Sequence, residues 1–181
     1  MSFITKDDTV LVAIDFQEKL MPVMSNGEET EERAAKLIRG MKVFDIPAIV
    51  TQQYTKGIGP TTAKLSAELG DFKHVEKTAF SAMRMPEFQE RLKETGRKNV
   101  VICGVEAHIC VLQTTLQLME EGYNVYLVVD CIDSRNENDK LWGISRMGEA
   151  GAVITTYESV LYEILQDSKA DGFKAISAIV K

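Results

Sequence analysis

Short apolar runs alternate with helical patterns along this chain. Several of the runs are apolar without an intervening polar position, which is typical of strands that helices cover on both faces. The segments between them place apolar residues at helical spacing. This alternation predicts an α/β protein with a mostly parallel sheet. The predicted strands are six, at 9–16, 47–53, 73–78, 99–105, 124–130 and 152–158.

The segments between the strands carry helix start and stop signals. Ser25 and Glu28 have the spacing of a capping box ahead of an apolar stripe. Pro86 suits the first turn of a helix that Gly96 ends. The expected helices are one after Ser25, then 86–96, 108–121, 137–150, 159–166 and a short one near the C-terminus.

Length and charge narrow the class of protein. A chain of 181 residues with 45% hydrophobic positions suits one domain, which we expect to span residues 1–181. The formal net charge is −6, and no Lys/Arg-rich run is present. A nucleic-acid partner is therefore not expected, and a small-molecule substrate is.

The N-terminal residues and the cysteines bear on the compartment. Lys6, Asp7 and Asp8 fall where a signal peptide needs its apolar segment, and no apolar run approaches the length of a membrane span. We therefore expect no membrane association and a cytoplasmic location. The three cysteines are an odd number, which favours free thiols over a disulfide framework.

Three candidate functional side chains fall at the carboxyl ends of predicted strands, where an open parallel sheet forms its crevice. They are Asp15, Lys77 and Cys110. Asp15 follows the first strand, and a buried carboxylate there needs a positive or hydrogen-bonding partner. Lys77 ends the third strand and could supply that partner. Each residue also has an ordinary structural explanation, as a turn cap or as a lysine that reaches solvent.

The cysteines differ in their positions. Cys110 follows the fourth strand by a short turn and lies in the first turn of the next predicted helix, where N–H groups and the helix dipole favour a thiolate. Cys110 is therefore a candidate nucleophile, although a cysteine at this position can also simply pack. Cys103 lies within a strand and is predicted to be a core residue, while Cys131 could lie in the core or at the rim.

Three segments resemble the signature regions of isochorismatase-like hydrolases, also called cysteine hydrolases. They are IDFQEKL (14–20), EKTAFSAM (76–83) and GVEAHICVLQTTLQL (104–118), in that order. The similarity continues through TQQYTKGIGPT (51–61) and the segment 130–165, so that it covers nearly the whole chain. Those last two segments look most like the branch of isochorismatase domain-containing proteins.

The resemblance implies a fold and a set of roles. The fold is a three-layer α/β/α arrangement whose six-stranded, mostly parallel sheet has the order 3-2-1-4-5-6. Cys110 would be the nucleophile, Asp15 the proton acceptor and later donor, and Lys77 the cation beside both. A cis peptide would join Val105 to Glu106, and the backbone N–H groups of Glu106 and Cys110 would form an oxyanion hole. Relatives commonly assemble, so a homodimer or homotetramer is expected.

Departures from the family pattern are also informative. Nicotinamidase relatives carry an Asp-x-His metal motif after the second strand, whereas this chain reads TQQYTKG there and has only His74 and His108. No metal site of that type and no cofactor is expected. The glycines Gly57 and Gly59 lack the third glycine of a dinucleotide-binding loop, which argues against an oxidoreductase.

Five residues adjoining the motifs are candidates to contact a substrate. They are Phe16, Gln17, Tyr54, Phe80 and His108. Glu106 could also shape the pocket. Against these assignments stands the general tendency of aromatic residues near strand ends to lie in the core.

The cysteine favours one function over two alternatives. Enzymes that hydrolyse isochorismate often lack the cysteine, so Cys110 points to a hydrolase that acts on a small amide, carbamate or related carbonyl compound. One alternative is a metal-independent hydrolase of an isochorismate-type vinyl ether that uses Asp15 as the acid. The other is a module that binds a small molecule or a protein without catalysis.

Overall fold

A single six-stranded sheet organises the fold, which is described by a computed structural model over residues 3–181. Every neighbouring pair of strands is parallel, and the strand order is 3-2-1-4-5-6, as the family resemblance implies. The fold class is therefore confirmed. The strands are β1 (Thr9–Ile14), β2 (Ala48–Gln53), β3 (Val75–Lys77), β4 (Asn99–Val105), β5 (Asn124–Asp133) and β6 (Val153–Thr155).

Helices cover both faces of the sheet. Along β1, Leu11 and Ala13 join one core cluster with the helix Gly27–Val43, while Val10 and Val12 join a second cluster with the helices Pro86–Glu94 and Leu112–Glu120. Burial on both faces explains why the predicted strands read as continuous apolar runs. The helices are α1 (Gly27–Val43), α2 (Thr55–Ile58), α3 (Ala63–Leu69), α4 (Pro86–Glu94), α5 (Leu112–Glu120), α6 (Glu137–Glu149), α7 (Tyr157–Leu165) and α8 (Phe173–Val180). Within residues 3–181, each helix is too short or too polar to cross a lipid bilayer.

Several predicted boundaries are wrong for local reasons. Helices α2 and α3 were not predicted, because segments of four and seven residues are too short to show an apolar period. Strand β5 continues past its expected end at 130 to Asp133, through a register shift against β4. Strand β6 ends early because Thr156 caps α7, where its hydroxyl accepts a hydrogen bond from the N–H of Ser159.

The start of α1 is also held differently from expectation. The helix begins at Gly27, and the carboxylate of Asp133 accepts hydrogen bonds from the N–H of Asn26 at 2.7 Å and the hydroxyl of Ser25 at 2.9 Å. The capping box predicted from Ser25 and Glu28 is therefore wrong. A buried carboxylate from the end of β5 provides the cap, and it ties α1 to the carboxyl edge of the sheet.

Gly104 allows β4 to approach β1 closely at the carboxyl edge of the sheet. Its φ is 143°, and a Cβ at this position would lie 2.3 Å from the carbonyl oxygen of Ile14. Strands β1 and β4 lie at the centre of the sheet. Neither strand can move aside without breaking the pairing between them. The segment GVEAHICVLQTTLQL therefore begins with a glycine for a steric reason.

Substitution of this glycine is expected to be strongly destabilising. Gly104→Ala should lower the free energy of unfolding by at least about 3 kcal/mol, because backbone strain adds to overpacking. Gly96→Ala is the matched control, since Gly96 also has positive φ but a Cβ there would meet no atom within 4 Å. The control should lose about 1–2 kcal/mol from strain alone. Urea denaturation of both variants measures the difference, and equal losses would contradict the steric argument.

Candidate active site

The three predicted catalytic residues converge at the carboxyl edge of the sheet. Asp15 directly follows β1, Lys77 is the last residue of β3, and Cys110 lies in a π-helical turn between β4 and α5. The ammonium nitrogen of Lys77 is 2.6 Å from Asp15 Oδ2 and 3.5 Å from Cys110 Sγ. Lys77 thus bridges Asp15 and Cys110, although the three residues are far apart in the sequence.

The carboxyl group of Asp15 is fully buried. Its Oδ1 accepts a hydrogen bond of 2.7 Å from the hydroxyl of Thr51, and its Oδ2 forms the ion pair with Lys77. Burial raises the pKa of Asp15, and this effect outweighs the opposing influence of the Lys77 ammonium and of hydrogen bonds from Lys77, Thr51 and Cys110. A carboxyl with a raised pKa is suited to accept a proton and return it during a reaction.

Lys77 is fixed by a hydrogen-bond network centred on Gln53 at the end of β2. Its ammonium donates to Gln53 Oε1 at 2.6 Å, and the side-chain amide of Gln53 donates in turn to the Thr78 carbonyl at 2.8 Å. The buried Gln17 accepts a hydrogen bond from the backbone N–H of Gln53 at 2.7 Å. The cation therefore has few alternative positions, and a lysine without solvent contact stays beside Asp15 and Cys110.

Burial dominates the environment of the Cys110 thiol. Its residue is 7% exposed, and burial together with the Asp15 charge raises the pKa of the thiol to about 12, against the lowering effect of Lys77. Burial and the Asp15 charge therefore outweigh the helical position and the ammonium, which were expected to favour a thiolate. A nucleophile with so high a pKa needs a base, and Asp15 is the carboxylate next to it.

The turn that precedes Cys110 has the geometry expected from the family. The peptide bond between Val105 and Glu106 is cis. The carbonyl of Glu106 accepts hydrogen bonds from the N–H groups of Ile109 at 3.1 Å and Val111 at 3.2 Å, which shapes the π-helical turn. The carboxylate of Glu106 is mostly buried, and it accepts hydrogen bonds from the backbone N–H and the Nε of Arg135.

The five predicted substrate contacts divide into two groups. Tyr54 and Phe80 are each 52% exposed on the loops that follow β2 and β3, and the ring of His108 is partly exposed with its Nδ1 2.9 Å from Ser134 Oγ. These three are available to a ligand. Phe16 instead packs in the core cluster of α1, and Gln17 is buried with its amide donating to the carbonyls of Gln53 and Gly59. In this structure, neither Phe16 nor Gln17 has a free surface for a substrate.

Sequence reasoning missed three residues of this site, Thr51, Gln53 and Arg135. Gln53 ends β2, so the rule that identified Asp15 and Lys77 also applies to it. Thr51 lies inside the strand and gives no signal. Arg135 was hidden because β5 is three residues longer than its apolar pattern. Within the described part of the chain, no three His, Cys, Asp or Glu side chains converge as metal ligands would.

Comparison with known proteins places this geometry in a family. The model of the isochorismatase domain matches residues 9–159, which include all three catalytic candidates. The chain belongs to the isochorismatase family. An isochorismatase domain-containing protein 2 from Xenopus laevis is 38% identical over 95% of this chain and 83% of its own length.

Solved isochorismatase-like structures share the whole fold. The MAR1 ribonuclease from Caenorhabditis elegans is 35% identical, with a TM-score of 0.93 over 99% of this chain and 92% of its own. YcaC from Pseudomonas aeruginosa, solved with hexane-2,5-diol and covalent acrylamide, is 27% identical with a TM-score of 0.92 over 98% and 91%. YcaC from Escherichia coli, described as an octameric hydrolase of unknown specificity, is 26% identical with a TM-score of 0.92 over 99% and 91%.

The buried thiols of this isochorismatase-family protein are expected to make its stability depend on pH. Burial raises the pKa of Cys110 to about 12 and also raises the pKa of Cys103 and Cys131. Unfolded thiols titrate near about 8.5. Above that pH the folded state binds more protons than the unfolded state, so stability from these groups is complete below it and is lost as pH rises.

Urea denaturation from pH 7.5 to 10 tests this dependence. Each buried thiol should lower the free energy of unfolding by about 1.4 kcal/mol per pH unit once the unfolded thiol is ionised. Cys131→Ala should therefore show a shallower decline than the wild type. Parallel declines in the two proteins would show that Cys131 is not protonated in the folded state.

Proposed function

We propose that this protein is a cysteine hydrolase that cleaves a small amide, carbamate or related carbonyl compound through an acyl-enzyme on Cys110. The observation that carries the proposal is the ammonium of Lys77, 2.6 Å from the Asp15 carboxylate and 3.5 Å from the Cys110 sulfur. A buried carboxylate and a thiol that share one ammonium form an arrangement that can activate a nucleophile.

The first half of the reaction transfers the acyl group to the enzyme. Asp15 accepts the thiol proton while the sulfur of Cys110 attacks the carbonyl carbon. The backbone N–H groups of Glu106 and Cys110 donate to the oxygen that becomes negative. The tetrahedral intermediate then collapses, the C–N bond breaks, and Asp15 gives its proton to the leaving nitrogen, so that a thioester and a free amine result.

The second half regenerates the thiol. Asp15, again a carboxylate, accepts a proton from water as the water oxygen attacks the thioester carbon. The C–S bond breaks, the carboxylic acid leaves, and the proton on Asp15 returns to Cys110. Lys77 keeps its charge throughout and stabilises whichever of its two neighbours is the anion.

Two relatives bear on this proposal in different ways. Acrylamide is an electrophile that thiols attack at its alkene carbon, so a YcaC protein with covalent acrylamide supports a reactive nucleophile on this fold. The relative named a ribonuclease suggests RNA as another substrate. The net charge of −6 and the absence of any Lys/Arg-rich run in this sequence favour a small molecule instead.

An activity screen tests the function. Small amides, ureas and carbamates are assayed for amine or ammonia release, and acid-quenched samples are examined by mass spectrometry for an acyl group on Cys110. Turnover with an acyl group on Cys110 supports the proposal. Hydrolysis of a vinyl ether that persists in Cys110→Ala would instead support Asp15 as the sole acid, and binding without turnover would support a non-catalytic module. Hydrolysis of a short RNA serves as a separate arm.

We also propose that the protein forms a homo-oligomer in the cytoplasm. The octameric relative supports the assembly, and its order exceeds the dimer or tetramer expected from the sequence. Three free cysteines within residues 3–181 suit a reducing compartment. Sedimentation of the purified protein measures the assembly, and a monomer at micromolar concentration would contradict it.

A further inference from the structure

The outer side of helix α6 and the edge strand β6 expose three large apolar side chains. Strand β6 is the last of the sheet and pairs with β5, and Ile154 at its centre is 45% exposed. On α6, Leu141 is 57% exposed and Trp142 is 75% exposed. These are three of the seven large hydrophobic side chains that are exposed within residues 3–181, so exposed apolar surface is concentrated on these two elements.

The three side chains belong to one continuous surface with small residues between them. Leu141, Ser145 and Gly148 are spaced by four and three positions, so they form one row along α6. Ile154 continues this row, because a Cβ on Gly148 would lie 3.5 Å from its Cγ1. The small residues leave a groove between larger neighbours, into which a side chain of another helix can pack. We call this row, together with Trp142 beside it, the α6–β6 face.

The charges beside Trp142 match a second copy of α6 in the antiparallel direction. Asp139 precedes Trp142 by three positions and Arg146 follows it by four, so both lie on one flank of the helix. Both are exposed, and the ion pairs within residues 3–181 do not include Arg146. A two-fold axis beside Trp142 would set Asp139 of each copy opposite Arg146 of the other. A parallel pair of helices would instead oppose like charges.

The same axis also brings the apolar residues of the face together. It places the two Trp142 side chains against each other and sets Leu141 of each copy over Ser145 of the other. Large side chains thereby meet either each other or a small residue, as complementary packing requires. A tryptophan at the centre of a contact, surrounded by residues that exclude water, is typical of the residues that dominate binding.

We infer that the α6–β6 face is a contact between two copies of this chain, whose α6 helices pack antiparallel about a two-fold axis beside Trp142. The inference rests on the homo-oligomer proposed above and names a surface that forms it. Closed assemblies commonly contain two-fold contacts in which one surface meets itself. The octameric relative supports an assembly with several contacts on this fold, of which the α6–β6 face would supply one.

The fluorescence of Trp142 tests the inference, because it is the only tryptophan of the chain. The protein is diluted from micromolar to nanomolar concentration, and sedimentation velocity and tryptophan emission are recorded together. We expect the assembled protein to show blue-shifted emission and protection from iodide quenching, with chloride at equal ionic strength as reference. Both should approach the values of the urea-unfolded chain as the assembly dissociates. If the assembly persists on dilution, the charge variants below supply the dissociated protein.

Exchange of the two charges tests the antiparallel direction. Arg146→Glu opposes two carboxylates and Asp139→Arg opposes two cations, so each single variant should raise the dissociation constant of this contact at least about tenfold. The double variant Asp139→Arg/Arg146→Glu restores opposite charges and should recover most of the affinity. Far-UV circular dichroism checks that each variant is folded. A double variant that assembles no better than the single variants would overturn the antiparallel contact.

A matched pair of aromatic variants tests the surface itself. Trp142→Ser should sediment as a smaller species at a concentration at which the wild type is assembled. Phe80→Ser is the control, because Phe80 is 52% exposed and follows β3 at the opposite edge of the sheet. Equal sedimentation of both variants, or an assembled wild type in which iodide still reaches Trp142, would overturn the inference and leave the homo-oligomer standing. A wild type that is monomeric at micromolar concentration would contradict both.

Discussion

Replacing Cys110 with alanine is expected to abolish turnover and leave the fold intact. In the proposed mechanism the sulfur of Cys110 forms the acyl-enzyme, so its loss should lower kcat by at least about a thousandfold, as removal of a covalent nucleophile generally does. The residue is small and lies at the surface of its core cluster, so the free energy of unfolding should change by less than about 1 kcal/mol. Steady-state kinetics and urea denaturation measure the two effects on the same protein.

The two other cysteines provide matched controls. Cys103 lies within β4 and Cys131 within β5, and both are buried without contact to Lys77. Cys103→Ala removes the same atoms from the core and should retain most of the activity. If Cys110→Ala turned over a C–N substrate at near the wild-type rate, covalent catalysis would be wrong.

Replacing Lys77 with methionine is expected to cost both activity and stability. Methionine has a similar length but no charge, so the buried carboxylate of Asp15 would lose the partner that lies 2.6 Å away. Removal of one member of a buried ion pair typically costs about 3–5 kcal/mol. Activity should fall at least about a hundredfold, because the anions formed during the reaction lose their cation. Urea denaturation and steady-state assays at neutral pH measure the two losses.

The pH dependence of this variant identifies the cause of its instability. Loss of the ammonium removes an influence that lowers the pKa of Asp15, so the pKa rises further. The folded variant then holds a proton that the unfolded chain releases, and its stability is retained at low pH and lost as pH rises. The stability deficit relative to wild type should therefore be smaller at pH 5 than at pH 8.

A double variant separates charge from packing. Asp15→Asn/Lys77→Met contains neither charge and should recover at least about 2 kcal/mol of the stability that Lys77→Met alone loses, because no buried carboxylate remains unpaired. It should remain inactive, since the proton acceptor is gone. A double variant that is less stable than Lys77→Met would show that the ion pair does not account for the loss.

The sequence predicted the positions of the candidate catalytic residues better than their ionisation. Apolar runs and strand ends were sufficient to bring Asp15, Lys77 and Cys110 to one edge, because a parallel sheet collects the ends of its strands. The ionisation of Cys110 was mispredicted, since the extent of burial and the distance to Asp15 depend on tertiary packing. Gln17 and Phe16 were assigned to a pocket for the same reason: a strand-end position does not reveal which side the side chain faces. Arg135 lay beyond an underestimated strand end.

The strand order also determines when the catalytic residues can meet during folding. Asp15 and Lys77 are 62 positions apart in the chain, and Cys110 lies a further 33 positions along. Their strands become neighbours only through pairing of β1 with β2 and β4, and of β2 with β3. Such non-local parallel pairing is slow to form, so the contacts of the site arise late. A nascent chain that ends before β4 contains neither Cys110 nor the strand that pairs with one side of β1. It therefore cannot expose a prematurely reactive thiol at position 110.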